Sequence, residues 1–570
     1  MRDPEAPEIS AQAYLQRLAE RGVEYVFANA GTDFAPLIES LAVNANGRRK
    51  FPRVITVPHE NVAMAMAHGY YKIAGKPAAV MVHVTVGTGN AVNGIMNAAR
   101  DNIPVLLAAG RTPITETGHI ASRNRPIHWG QEAFDQGGIV REFTKWDYEL
   151  RAGQPVAAIV DRALDIAMSE PRGPVYLTLP REVLSDAATA QRGHDGGRPL
   201  GTMAAVPSRD AIEQVADLIA GAQFPLIVTS ALGRSPEAFA ALSALTEELA
   251  LPVVQSEPND LNLPTNHPMN LGFDMKSMLP RADVVLVLDA PVPWIPKAVT
   301  PGRDAKVIHI SPDPLVTQYP FRDFEADLLI AGTTRGALPL LREVLRGKLK
   351  AGDIEKRRKA VAALREEMLA NRRRAMEAAK GRTPISTSHI AACLNELKAE
   401  DAVIINELGV PMSQLQMTKQ GSYMGSLLAG GLGFGMGAAL GAKLAAPERE
   451  VISVVGDGSY MFGNPLPFHF VGRAESLPTL TIISNNQSWH AVRAATLDVF
   501  PGGYAAKANT MPLTELKPTP DYEKVITSCG GMGEKVEQPS DLFAAIKRGF
   551  EAVRSGTPAL INVITQGRDA

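Results

Sequence analysis

The chain has 570 residues, with 58 basic and 60 acidic side chains and a formal net charge of −2. That near balance leaves no electrostatic footprint for a polyanion, so nucleic acid is not expected as a partner. The length allows about three or four domains of ordinary size. Two cysteines, Cys393 and Cys529, cannot build a disulfide framework, and neither belongs to a CxxC pair, which points to core packing in a reducing compartment. The opening MRDPEAPEIS has no apolar signal core, and no stretch reaches membrane-spanning length without charge or helix-breaking residues. A cytoplasmic protein with no membrane partner is expected.

Residues 1–184 alternate helix and strand patterns: AQAYLQRLAERG, VEYVFANAG, RVITVPHE, a helix to Gly75, then KPAAVMVHVTV, a turn at GTGN, a further helix and PVLLAAG. This is the pattern of a parallel α/β domain. Glu60 sits where a strand hands over to a helix among apolar residues; it is either a helix-start charge or a carboxyl able to donate a proton to a ring nitrogen. His83 lies at a strand end, before Gly87 and Gly89, which would admit a close ligand. The polar, aromatic loop RPIHWGQEAFDQGG holds His128 and Gln131, and either lines a pocket or packs a domain edge.

A stretch without hydrophobic period, SDAATAQRGHDGGRPLGT, reads as an interdomain linker. Residues 207–347 repeat the α/β pattern, with FPLIVTSA, LPVVQSE, ADVVLVLD, AKVIHIS and ADLLIAG as strands and no dinucleotide fingerprint. The loop DAPVPWIP carries Trp294. Residues 351–380 read as a charged helical connector whose arginines interleave with glutamates, a solvated face.

The segment 383–570 contains the stretch with the most chemistry, VISVVGDGSYMFGNPLPFHFVGRAESLPTLTIISNNQSWH. Val451–Val455 and Thr479–Ser484 read as buried strands joined by a helical crossover, so their polar tips, GDGS and NNQS, should meet at one sheet edge. Gly456 and Gly458 let the backbone approach an anion, and the following helix, with Ser459, offers N–H groups to a phosphate. Asp457, the Asn486 amide and the Ser488 carbonyl form an oxygen-only set of the kind Mg²⁺ favours.

GDGS followed by NN resembles the cofactor signature of the thiamine-diphosphate-dependent decarboxylases and acetolactate-synthase-like enzymes. HEN at Glu60 resembles the HE motif of that family, whose glutamate contacts the aminopyrimidine. HxxxGTGN from His83 and GSY…AGGLGF resemble its benzoylformate-decarboxylase branch. The resemblance implies three doubly wound parallel-sheet domains, pyrimidine-binding (1–184), central (207–347) and diphosphate-binding (383–570). It implies thiamine diphosphate and Mg²⁺ as cofactors, with Asp457, Asn486 and Ser488 at the metal, a carbonyl near Gly430 on the aminopyrimidine and Leu432 as the wedge that bends the cofactor. His83 becomes a proton-transfer group and Thr32 a substrate contact; Trp294, Trp489 and Val492 are expected in the substrate pocket, and His490 as a second acid–base group or a turn cap.

The implied reaction is decarboxylation of a small-molecule 2-oxo acid, with possible carboligation. Rival readings are an acetolactate-synthase-like transferase, a 2-hydroxyacyl-CoA lyase and a catalytically silent cofactor-binding subunit. Because Glu60 and the diphosphate segment lie in different domains, the resemblance also implies a homodimer or homotetramer with active sites between subunits.

Overall fold

The computed structural model describes residues 8–45, 47, 49–190 and 198–566. The first seven residues and the middle of the linker read above lie outside the described residues. Three parallel sheets, flanked by helices, form the α/β fold expected from the alternating pattern. The first sheet has strands β1 (Tyr25–Ala28), β2 (Arg53–Thr56), β3 (Ala78–Val82), β4 (Val105–Arg111), β5 (Asp147–Glu149) and β6 (Val175–Pro180), in the order β2-β1-β3-β4-β6-β5. The second comprises β7 (Pro225–Thr229), β8 (Val253–Gln255), β9 (Val284–Leu288), β10 (Lys306–Ser311) and β11 (Leu328–Ala331), in the order β11-β10-β9-β7-β8. The third comprises β12 (Val403–Glu407), β13 (Tyr423–Met424), β14 (Val451–Gly456), β15 (Leu480–Asn485), β16 (Met532–Val536) and β17 (Ala559–Ile564), in the order β13-β12-β14-β15-β17-β16.

Central strands such as β3, β7 and β9 are buried along their whole length. Parallel strands covered by helices on both faces need apolar side chains on both faces, which is why they read as unbroken runs such as VVLVL. The connector is a helix over Ala351–Ala379, mostly exposed, with Arg357 and Val361 buried. Its arginines also clamp neighbouring loops: Arg365 donates to the His267 carbonyl and Arg372 to that of Gln414.

The first and third sheets share one core. Phe27, Val80, Leu107, Met436, Val455 and Ile483 belong to a single buried cluster. The link is a pair of helices, Glu60–Ala74 and Phe434–Ala445, that meet through small residues. A Cβ on Gly69 would lie 2.1 Å from the Ala438 carbonyl oxygen, and one on Gly441 2.0 Å from that of Met66. The buried Glu407, at the end of β12, caps the second helix: its carboxylate accepts from the amides of Gly433 (2.9 Å) and Gly435 (2.8 Å).

One local expectation is corrected. GTGN is not a turn; the helix Val84–Arg100 starts directly after His83 and runs through all four residues. Val84 adopts a φ of 33° at the junction, a strained conformation for a β-branched side chain.

Gly441→Ala should destabilise the protein by about 1–3 kcal/mol, because the helix backbones have no room to part. Thermal unfolding compared with Gly352→Ala, which meets nothing within 4 Å on the connector helix, checks this. The control should be neutral or slightly stabilising.

Candidate active site

Two clusters gather at the carboxyl ends of strands, where open α/β sheets place ligand sites. In the first sheet, β1 lies between β2 and β3, so the loops after all three strands are neighbours. Glu60, buried at the start of its helix, accepts from the Asn90 amide at 3.2 Å. A Cβ on Gly87, in the first turn of the helix Val84–Arg100, would come 2.9 Å from Val82 Cβ and 3.2 Å from the Glu60 carboxylate, so the absent side chain leaves room for both.

His83 is half-buried, and its Nδ1 lies 2.5 Å from Oδ1 of Asp33, while the Gln131 side-chain amide approaches its Nε2 at 3.2 Å. The hydrogen bond to Asp33 outweighs burial and, with the charges of Asp33 and Glu60, holds the imidazole above its usual pKa. Thr32 Oγ1 lies 3.4 Å from Nε2 of the buried His128. Burial, then the Arg181 guanidinium, hold His128 below the ordinary histidine value. The structure thus brings Thr32, His83 and His128 together near Glu60. It adds Asp33, which the sequence reading did not select; its signal is a carboxylate in the loop after a strand that neighbours the strand ending at His83.

In the third sheet β14 pairs directly with β15, Gly456 opposite Ser484, so the two polar tips meet as expected. Asp457 begins a short helix, Asp457–Phe462, and is buried. Its Oδ2 and the Oγ of the buried Ser459 have no hydrogen-bond partner. Desolvation pushes the Asp457 carboxyl up to about 6, against the backbone amides of Gly458, Ser488 and Gln487, which favour its charge. Asn486 Oδ1 accepts from the Ser488 amide at 3.0 Å, and the Ser488 carbonyl accepts from the His490 amide at 2.9 Å.

An ionisable carboxylate and a hydroxyl left without partners inside a fold, beside an amide oxygen and a carbonyl, form a set that a hard dication with a phosphorylated ligand would satisfy. Among the described residues no group of three or more His, Cys, Asp or Glu side chains offers a metal site of another kind.

Trp489 lies over this tip: a Cβ on Gly458 would be 2.2 Å from its ring, which also meets Phe462 edge-on at 5.7 Å. His490 opens the helix His490–Val499, and Val492 is half exposed on it. Between the two clusters lies the segment with the exposed Gly430, at φ 66°, and the half-buried Leu432. Asn97 donates to the Gly431 carbonyl at 2.8 Å and Asn93 to that of Leu432 at 3.1 Å, tying the segment to the helix that starts after His83. His59, next to Glu60, lies 3.4 Å from the Asn464 amide, just beyond the Asp457–Phe462 helix.

Trp294 does not join either cluster. It is 5% exposed in a core cluster with Val287 and Val361, its ring edge-on to Phe324 at 5.4 Å. A large aromatic beside a proline-rich loop finds more contact surface in its own domain core than at a rim.

Three family models match successive parts of the chain. Residues 10–139 match the N-terminal TPP binding domain of the thiamine pyrophosphate enzymes, 212–338 their central domain and 409–563 their C-terminal TPP binding domain. The chain belongs to the thiamine pyrophosphate enzymes, the family of thiamine-diphosphate-dependent decarboxylases and acetolactate synthases. It is 25% identical to a probable acetolactate synthase of Mycobacterium bovis, covering 96% of this chain and 94% of that one. It is 26% identical to a benzoylformate decarboxylase of Pseudomonas aeruginosa, covering 85% and 87%. The fold matches that of a 4-hydroxybenzoylformate decarboxylase of Rhodococcus jostii with a TM-score of 0.81 at 23% identity, covering 99% of this chain and 100% of the other.

The Asp457 shift has a testable sign. Its folded pKa of about 6 lies above the ordinary value of 3.8, so its contribution favours the folded state at low pH and is lost as pH rises between those values. In metal-free protein the melting temperature of Asp457→Asn should therefore gain on that of the parent from pH 4.5 to 7. A gap that stays constant, or moves the other way, would contradict the assignment.

Proposed function

We propose that this protein is a thiamine-diphosphate- and Mg²⁺-dependent decarboxylase of a 2-oxo acid, of the benzoylformate-decarboxylase kind. The observation that carries the reading is the presence, at one sheet edge, of a buried carboxyl, Glu60, and an imidazole, His83, held by Asp33 and within reach of the Glu60 charge. Loss of CO₂ from a 2-oxo acid needs an electron sink, which the thiazolium of the bound cofactor supplies. In this reading Glu60 donates to the aminopyrimidine ring, and His83 delivers from Nε2 the proton an aldehyde must take up before it leaves. A synthase needs that carbon kept unprotonated for capture by a second oxo acid, so an imidazole poised to protonate favours the decarboxylase.

Asp457, the Asn486 amide and the Ser488 carbonyl would hold Mg²⁺, with Ser459 and the amides at Gly456 and Gly458 receiving the diphosphate. The carbonyl at Gly430 and the Leu432 side chain would cradle the aminopyrimidine. Thr32, His128, Trp489 and Val492 would shape the substrate space, and His490 would stand as a second proton-transfer group. A homodimer or homotetramer fits the exposed apolar side chains Met461, Phe462, Leu466 and Phe470 that follow the Asp457 tip. Sedimentation of the loaded protein as a monomer would remove that part of the reading.

With Mg²⁺ and thiamine diphosphate added, CO₂ release should be fast from at least one member of a 2-oxo acid panel running from pyruvate to benzoylformate, with the matching aldehyde as product. Acetolactate formed from pyruvate alone would replace the reading with a synthase. Glu60→Gln should slow H/D exchange at the cofactor C2 by on the order of 100-fold or more while still retaining the cofactor. Asp457→Ala should lose Mg²⁺-dependent retention of the cofactor on desalting.

A further inference from the structure

His83 is gripped from both sides of its ring, and the two grips differ in kind. Asp33, 3% exposed in the loop after β1, meets Nδ1 at 2.5 Å; Gln131, from the loop after β4, meets Nε2 at 3.2 Å through its amide nitrogen. The backbone makes room for this pair at two glycines. A Cβ on Gly31 would lie 2.0 Å from the His83 Nδ1, and a Cβ on Gly110 would lie 1.9 Å from the Asp33 carboxylate. Asp33 Oδ2 and Gln131 Oε1 are both buried without a partner.

We propose that Asp33 is a positioning residue that keeps the Nδ1–H tautomer of His83, so that Nε2 is the atom through which His83 takes up and gives back a proton, with Gln131 reading its state. This rests on the reading of His83 as a proton-transfer group. An ionised carboxylate only accepts, so the hydrogen between Asp33 and the ring belongs to Nδ1. The Gln131 NH₂ only donates, so Nε2 of the neutral ring presents its lone pair to it. When Nε2 gains a proton, a half-turn of the Gln131 amide brings Oε1, now without a partner, to accept it. The two neighbours therefore satisfy the ring in both protonation states, with no change beyond one amide rotation.

The charged groups around the ring agree. Asp33 and Glu60 both favour the imidazolium. His128 stands on the far side with its own charge disfavoured, and Arg181, which donates to the Thr32 carbonyl at 3.4 Å, balances the Asp33 charge from behind. Asp33 is buried and its side-chain hydrogen bond goes to His83, so its effect passes through His83.

The first test uses cofactor-free protein with ¹⁵N-labelled histidine, the His83 signals being assigned by their loss in His83→Gln. Long-range ¹H–¹⁵N correlation should find neutral His83 in the Nδ1–H form, titrating above the ordinary histidine range. In Asp33→Asn the midpoint should fall and the single tautomer should be lost; Asp33→Glu should restore the high midpoint in part. Parent protein in the Nε2–H form, or an Asp33→Asn spectrum that titrates as the parent does, overturns the proposal, and the parent measurement needs no substitution at all. In the loaded enzyme, kcat of Asp33→Asn should fall about 10-fold or more at little changed KM, with the pH limb moving by the same shift as the spectral midpoint. Full decarboxylation by His83→Gln would instead sink the proton-transfer reading itself, an outcome the spectra of the cofactor-free protein do not depend on.

Discussion

Two helix backbones in contact set the geometry on which the site depends. The Glu60–Ala74 and Phe434–Ala445 helices approach through Gly69, Gly437 and Gly441, where a single added carbon would meet a carbonyl or a neighbouring side chain. Glu60 opens one helix, and Gly430 to Gly433 lead into the other. Their crossing therefore decides how far Glu60 stands from the Gly430–Gly433 segment within the chain. The two asparagines that hold the Gly431 and Leu432 carbonyls add directional bonds to what packing alone would leave free to slide.

Around that crossing the molecule handles its buried carboxylates in three ways. Glu407 has both its oxygens met by three amides at a helix start and serves the scaffold. Asp33 is given an imidazole on one oxygen. Asp457 has backbone amides near its carboxyl and, like Asp33, an Oδ2 buried without a partner, which is expensive to keep unless something outside the chain completes it.

Much of this was legible in the sequence. Parallel strands buried on both faces leave uninterrupted β-branched runs, so all five strands of the central sheet and the GDGS and NNQS tips stood out, and the parallel pairing of β14 with β15 brought those tips together as read. Other features were not legible, for definite reasons. GTGN looked like a turn because glycine usually breaks helices, whereas a side chain at Gly87 would crowd Val82 and the Glu60 carboxylate, a reason that lies in other elements. Asp33 went unread because its partner is fifty positions away and the two meet only when β1 and β3 become neighbours. Trp294 was misplaced for the opposite reason: proximity to a loop in sequence says nothing about which way a ring turns.

The core shared by the first and third sheets has a consequence for how the molecule comes apart. Sequence segments suggest three domains, yet one cluster joins Phe27 and Val80 of the first to Met436 and Ile483 of the last, while the central strands fill clusters around Ile227 and Val285 and Leu261 of the central segment enters a core cluster of the third sheet. Cooperativity follows buried contacts and not chain order. Calorimetry should therefore show no separate transition for the first and last segments, which melt as one unit although the whole central sheet separates them along the chain.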